Sequence, residues 1–178
     1  MPTYIAMLRG INVSGQKAVK MKKLRESFER LGFTDVRTYV QSGNVVFNAR
    51  ASSGLAEKIE KQIHRNFGFP VSVVLRTPQA LTRTIKGSPF LKEPGIDTSK
   101  LYVTFLARAP SKTALVKLRD LRGEPDRLHC VGDAVYIHCP NGYGRTKLTN
   151  NAIEKALATQ ATTRNWNSVN RLWEMARG

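Results

Sequence analysis

An α+β fold assembled twice from one β-α-β-β-α-β unit is what this sequence predicts, and three observations predict it. Residues 1–77 carry apolar stretches in the order strand, helix, strand, strand, helix, strand. Residues 100–178 start that order again, and Tyr102-Val103-Thr104-Phe105-Leu106 matches Tyr4-Ile5-Ala6-Met7-Leu8 in type except where Thr104 replaces Ala6. The chain has 178 residues, 41% of them hydrophobic and 24% charged, which suits one domain or two small ones and is too apolar for a disordered basic tail.

Tyr4 to Leu8 is a continuous apolar run of strand length, as expected of a central strand covered on both faces. Glycines and Asn/Ser make Arg9 to Gly15 a loop. Met21, Leu24, Phe28 and Leu31 recur at helical spacing before Gly32. Val36–Val40 and Val45–Phe47 flank Gln41-Ser42-Gly43-Asn44, a hairpin. Leu55, Ile59, Ile63 and Phe67 give a second helix that stops at Gly68 and Pro70, and Val71–Leu75 is the last strand. This is the split-βαβ, ferredoxin-like (α-β plait) unit.

Residues 78–99 read as a helical connector, with Thr77 capping a short helix that begins at Pro78. In residues 100–178, Ser111 caps a helix through Ala114, Leu115, Leu118 and Leu121, and Leu128–Val131 and Ala134–Ile137 flank Gly132-Asp133. Asn151 with Glu154 resembles a capping box opening a helix to about residue 158. Trp166, Val169, Leu172, Trp173 and Ala176 then give one more helix, with Asn165 as its cap. The second ferredoxin-like subdomain is therefore expected to lack a clear fourth strand and to end in an extra helix.

Composition narrows the function classes. No apolar run approaches the roughly 20 residues of a membrane helix, the first residues lack a basic signal-peptide region, and two cysteines make no disulfide framework, so a cytoplasmic protein without membrane association is expected. The 29 Lys and Arg against 13 Asp and Glu give a net charge of +16, divided evenly between residues 1–77 and 78–178 rather than gathered in a tail.

Topology predicts where polar loops meet. The intervening helix returns the chain, so the loop after strand 1 lies at the same sheet end as the turn between strands 2 and 3. That brings Arg9 and Asn12 towards Gln41, Ser42 and Asn44, two glycine-polar loops suited to a small ligand or phosphate; their composition also fits plain turns. Lys17, Lys20, Lys22 and Lys23 crowd the start of the first helix, where lysine opposes the macrodipole and an anion would be welcome; a solvated basic face is the simpler alternative. Tyr143, Arg145 and Lys147 sit in a glycine-punctuated loop ahead of a helix, suited to cradling an oxyanion, where Tyr143 can stack on a base or merely fill a gap; Arg164 precedes the last helix and can reach an anion or simply face water. The Walker A and dinucleotide glycine patterns are both absent.

Other constellations fail. With Gly132-Asp133 as a two-residue turn, Cys130 faces Val135 and His129 faces Tyr136, leaving Cys139 about 13 Å from Cys130 at strand rise, too far for a disulfide or a shared zinc. No Ser or Cys stands at a fixed spacing from His64, His129 or His138, and no carboxylate pair marks an acid/base couple. No catalytic constellation, metal or cofactor is recognised.

Leu8-Arg9-Gly10-Ile11-Asn12-Val13, Tyr39 to Phe47, Tyr143 to Leu148 and Ala161 to Asn167 together resemble a bacterial family designated domain of unknown function 1697. The resemblance runs nearly end to end and implies two ferredoxin-like subdomains, without an established activity. Ser14 stands where that family often has glycine, and Thr146 where serine is common. The expectation is a protein binding a phosphate-bearing small ligand or nucleotide through Arg9, Asn12, Gln41, Ser42, Asn44, Tyr143, Arg145, Lys147 and Arg164. The alternatives are nucleic-acid binding through Lys17, Lys20, Lys22 and Lys23, a protein-interaction module, or an enzyme with loop-borne groups.

Overall fold

The computed structural model describes all of residues 1–178. Contacts divide the chain into two units, Met1–Leu81 with Leu172–Gly178, and Thr82–Arg171.

The first unit runs β1 (Thr3–Leu8), α1 (Met21–Arg30), β2 (Thr34–Tyr39), β3 (Asn44–Asn48), α2 (Leu55–Phe67) and β4 (Val73–Arg76). Its antiparallel sheet has the order β2-β3-β1-β4, so β1 is paired on both sides. Alternate strand residues Ala6, Leu8, Val45, Phe47 and Val73 receive Leu24 and Phe28 from α1, and Leu55, Ile59 and Ile63 from α2. Phe47 is the hub, 5.2 Å edge-on from Phe28 and 4.8 Å stacked on Phe33 between ring centres. Ile5, Met7 and Val46, which point to the other face, are just as buried, and that is why β1 reads as an unbroken apolar run.

Helix α3 (Pro78–Lys86) comes next, with the Thr77 hydroxyl accepting from the Ala80 N–H at 3.1 Å. The second unit adds β5 (Leu101–Leu106), α4 (Lys112–Arg119), β6 (Arg127–Val131), β7 (Ala134–His138), α5 (Asn150–Leu157) and β8 (Ala161–Asn165), and α6 (Trp166–Arg177) closes the chain. The sheet order is β6-β7-β5-β8, the connectivity of the first unit repeated in full. Leu106, Val135 and Ile137 pack with Leu118 of α4 and with Ile153 and Leu157 of α5. Beyond α3 the connecting segment folds as 3-10 turns over Pro89–Lys92 and Thr98–Lys100. It is docked on the second sheet: Phe90 is buried with its ring 5.2 Å from His129 and 5.8 Å from His138, and Arg127 grips Glu93 at 2.7 Å.

The fourth strand that the sequence concealed is therefore present. Ala161-Thr162-Thr163-Arg164-Asn165 pairs antiparallel with β5, from Leu106↔Ala161 to Tyr102↔Asn165. Its polar side chains hid it from hydropathy, yet threonine is β-branched and suits a pleated edge. Those polar groups are also satisfied. The Thr163 and Thr104 hydroxyls lie 2.7 Å apart, and the Thr163 hydroxyl donates to Asn150 Oδ1 at 2.9 Å.

The expected capping box at Asn151 and Glu154 is replaced by another arrangement. Thr149 is the cap of α5, its hydroxyl accepting from the Ala152 N–H at 3.1 Å, while Glu154 Oε2 accepts from the Ala161 N–H at 2.8 Å and so ties α5 to β8. The other expected caps form: Ser111 accepts from the Ala114 N–H, and Asn165 from the Ser168 N–H. The β6–β7 register is the one expected, with Cys130 opposite Val135 and His129 opposite Tyr136, and both cysteines are free thiols. Of the two tryptophans of α6, Trp166 is buried; Trp173 is half-buried, with the Arg177 guanidinium 4.3 Å from its ring.

The polar seam between β5, β8 and α5 carries a testable consequence. Thr163→Val keeps the side-chain shape and leaves the fully buried Thr104 hydroxyl without its 2.7 Å partner. A loss of about 1–3 kcal/mol is expected. It is measured as a lower denaturant midpoint at unchanged slope.

Candidate functional site

The two polar loops of the first unit do meet. At the end of β1 the Leu8 N–H donates to Gly43 O at 2.9 Å, and the Arg9 N–H donates to Ser72 O at 2.9 Å. Asn12 then staples the loop to the turn. Its Nδ2 donates to Gln41 O at 2.7 Å and to Val19 O at 2.9 Å, while its Oδ1 accepts from the Val19 N–H at 2.7 Å. Asn44 is fully buried, and its amide donates to Tyr39 O at 3.0 Å and to Ser42 Oγ at 2.9 Å. Both asparagines thus shape the site. Gln41 and Ser42 form its exposed rim, and Arg9, directly after the end of β1, is half-buried.

Gly43 makes the convergence sterically possible. Its φ is +84°, and an added Cβ would lie 2.8 Å from the Leu8 Cβ and 2.7 Å from the Ile11 Cδ1. The turn packs directly on the end of the central strand.

Because Asn12 holds Gln41 and Val19 together, the turn lies against the entry to α1. That helix begins without a cap: Lys20 occupies the cap position in extended conformation, no side chain accepts from the first turn, and no acidic residue stands there. Lys20, Lys22 and Lys23 are exposed around it. The first-turn N–H groups have no intrahelical acceptor, and the helix dipole adds partial positive charge at this point. Lys17, grouped with these lysines on sequence, has another task. Its Nζ donates to Pro70 O at 3.1 Å, folding the loop over the link between α2 and β4.

The remaining candidates belong to the second unit. The loop from Cys139 to Thr149 leaves β7 beside the start of β5, since His138 pairs with Leu101. That sheet end is not the equivalent of the one carrying Arg9 and Asn12, which lies at the finish of β1. Tyr143 serves the helix behind it: its hydroxyl accepts from the Asn150 N–H at 2.9 Å, and its ring lies 5.0 Å from Tyr102. With Thr149 capping as well, the start of α5 already has side-chain acceptors, unlike that of α1. Arg145 and Lys147 are exposed on this loop. Arg164, expected ahead of the last helix, sits inside β8 with 7% exposure, its Nη1 donating to Thr162 Oγ1 at 2.6 Å and to Thr163 O at 3.0 Å. Burial pushes its pKa down to about 10.

Sequence reasoning passed over Arg76, the counterpart of Arg164 in the first unit. It is 8% exposed, pairs with Ile5 where Arg164 pairs with Val103, and donates to the carbonyl of the preceding Leu75 at 2.9 Å. The signal was available: Arg76-Thr77-Pro78 and Arg164-Asn165-Trp166 both run buried arginine, helix cap, first helical residue.

The family described as Protein of unknown function (DUF1697) matches residues 1–136. No curated protein matches the chain. Among solved structures, a conserved bacterial protein from Streptococcus pneumoniae is similar over 100% of this chain and 99% of its own, with a TM-score of 0.77 at 19% identity. That likeness shows the fold, two four-stranded antiparallel sheets with interleaved helices. No helix is long and apolar enough to cross a membrane.

The packing at Gly43 can be tested against a glycine that lacks it. Gly43→Ala combines a left-handed backbone with contact against Leu8 and is expected to cost about 3 kcal/mol. Gly15→Ala has φ +73° and nothing within 4 Å, so only the backbone cost of about 1 kcal/mol remains. Chemical denaturation of the two variants side by side measures the difference.

Proposed function

The chain belongs to the DUF1697 family of proteins of unknown function, and on that premise we propose that it binds a phosphate-bearing small ligand or nucleotide at the loop end of the first sheet. The observation that carries this reading is the bare, lysine-flanked start of α1, held next to the 40–43 turn by the Asn12 amide. The free first-turn N–H groups and Lys20, Lys22 and Lys23 meet the phosphate, and Gln41, Ser42 and Arg9 orient the rest of the ligand. Asn12 and Asn44 position these groups rather than touch the ligand. Arg145 and Lys147 stand outside this set, on a loop at the non-equivalent end of the other sheet. The two free thiols support a cytoplasmic setting.

A second reading, contact with nucleic-acid phosphates, is favoured by the exposure of the same lysines and the net charge of +16. Salt separates the two. A nucleic acid held through several of its phosphates loses affinity steeply, log K falling linearly with log[salt], whereas a ligand with one phosphate group gives a shallow slope.

Lys20→Asp tests the site with two responses of opposite sign. A carboxylate at the cap position satisfies a first-turn N–H and complements the dipole, so the fold gains about 1 kcal/mol and melts roughly 2–4 °C higher. The same carboxylate occupies the place of the anion, so the affinity for a nucleoside monophosphate, read by calorimetry, falls at least about tenfold, or about 1.4 kcal/mol. Stabilisation with unchanged affinity would remove the α1 start from the site.

A further inference from the structure

The second unit carries a recess beyond the end of its central strand. In both units the first strand ends the same way: Leu106 N–H donates to Asp133 O and Ala107 N–H to Gln160 O, as Leu8 donates to Gly43 O and Arg9 to Ser72 O. The loops beyond these strand ends differ. The first unit inserts residues 9–20 before its helix, and Lys17 of that loop reaches Pro70 O. The second inserts only residues 107–111, and Arg108 reaches Ala158 O at 3.2 Å, the carbonyl that stands two residues before the ladder bond just as Pro70 does.

The shorter loop leaves open a depression of about 380 Å³ between the start of α4 and the end of α5. An adjoining recess of about 430 Å³ shares Arg108 and Thr159 with it. Leu157 and several alanines form its apolar wall, and its polar groups are Arg108, Lys117, Ser111, Thr113 and Thr159. No Asp or Glu lines either recess. Thr159 is only 8% exposed, and its hydroxyl has just a long 3.4 Å approach to the neighbouring Gln160 carbonyl. The volume falls within the range of small-molecule sites, which are apolar with a few convergent polar groups.

We propose that this depression is a second anion site, independent of the α1 site, that takes a small phosphate monoester. Arg108 and Lys117 supply two positive charges in a recess that no carboxylate lines. The guanidinium presents paired donors to phosphate oxygens, and the Ser111, Thr113 and Thr159 hydroxyls complete the donor set. The Leu157 side takes the short carbon body.

Amide chemical shifts of the full chain, titrated with glycerol 3-phosphate, inorganic phosphate and glycerol, test this directly. Glycerol 3-phosphate is expected to move the amides of residues 107–114 and 157–160 saturably, inorganic phosphate more weakly, and glycerol not at all. Lys117→Ala, an exposed position that leaves the fold alone, and Arg108→Ala each weaken that response about tenfold, and the amides around Met21 to Lys23 keep theirs. Unmoved amides at 107–114 and 157–160, an equal response to glycerol, or unchanged affinity in both variants would each overturn the proposal. A response confined to Met21 to Lys23 would overturn it while leaving the α1 site standing.

Discussion

Two backbone hydrogen bonds at the end of the central strand set the geometry on which each unit's polar features depend. The Leu8 N–H donates to Gly43 O and the next N–H, that of Arg9, to Ser72 O, both at 2.9 Å. One bond faces the turn between β2 and β3, the other the link between α2 and β4. Three chain segments distant in sequence are thereby pinned at one sheet end. The second unit repeats the pair through Leu106 and Ala107, to Asp133 and Gln160. A central strand flanked on both sides must satisfy its last amides left and right, so this junction arises from the topology rather than from any side chain. The loops beyond it then decide how the junction is used.

The two copies use it differently, and loop length is the reason. Twelve residues between β1 and α1 allow Asn12 and Lys17 to fold the loop back onto the turn and onto Pro70, which closes the junction and leaves the helix start as the exposed feature. Five residues between β5 and α4 make a shorter loop, from which only the Arg108 side chain is seen to reach back, to Ala158 O, and Ser111 caps the helix. The features kept in both copies are structural. Arg76 and Arg164 occupy matched places on the fourth strands, each bonded to the preceding carbonyl and each ahead of a helix cap. Fold maintenance fixes the strand ends, and the loops beyond them are where the copies have room to diverge.

Most of the fold was legible because it depends on short-range pattern. The stripes of α1 and α2, the caps at Thr77, Ser111 and Asn165, and the β6–β7 register were all readable from spacing. β8 was not, because it trades apolar alternation for hydroxyl pairing with Thr104 and Asn150, a partnership spanning 59 residues in one case. The α5 cap slipped for a related reason. Glu154 looked local, but its carboxylate accepts from the Ala161 N–H across the next turn. In the site, topology alone predicted the meeting of the two loops. It could not say which polar side chains would be spent on holding them, since Asn12 and Asn44 have the same composition signature as ligand-binding residues and differ only in what their amides reach.

The net charge of +16 looks different once each cation is placed. Lys17 and Arg108 are bound to backbone carbonyls, Arg127 to Glu93, and Arg164 is buried against its own strand. A cation held by a carbonyl still contributes its field but has already fixed its geometry, so it can recognise an anion without the entropic cost of ordering a long side chain. A solvated lysine such as Lys22 or Lys23 contributes attraction at long range and must be ordered on contact. Specific recognition therefore belongs where a preordered cation adjoins free donors, and general attraction where solvated lysines stand alone. The Arg108 recess meets the first condition. The α1 start supplies free donors through its backbone, and on the proposed reading its solvated lysines draw the anion towards them. By that criterion the two proposed sites draw on only a few of the 29 basic residues, and the rest contribute to a generally basic surface.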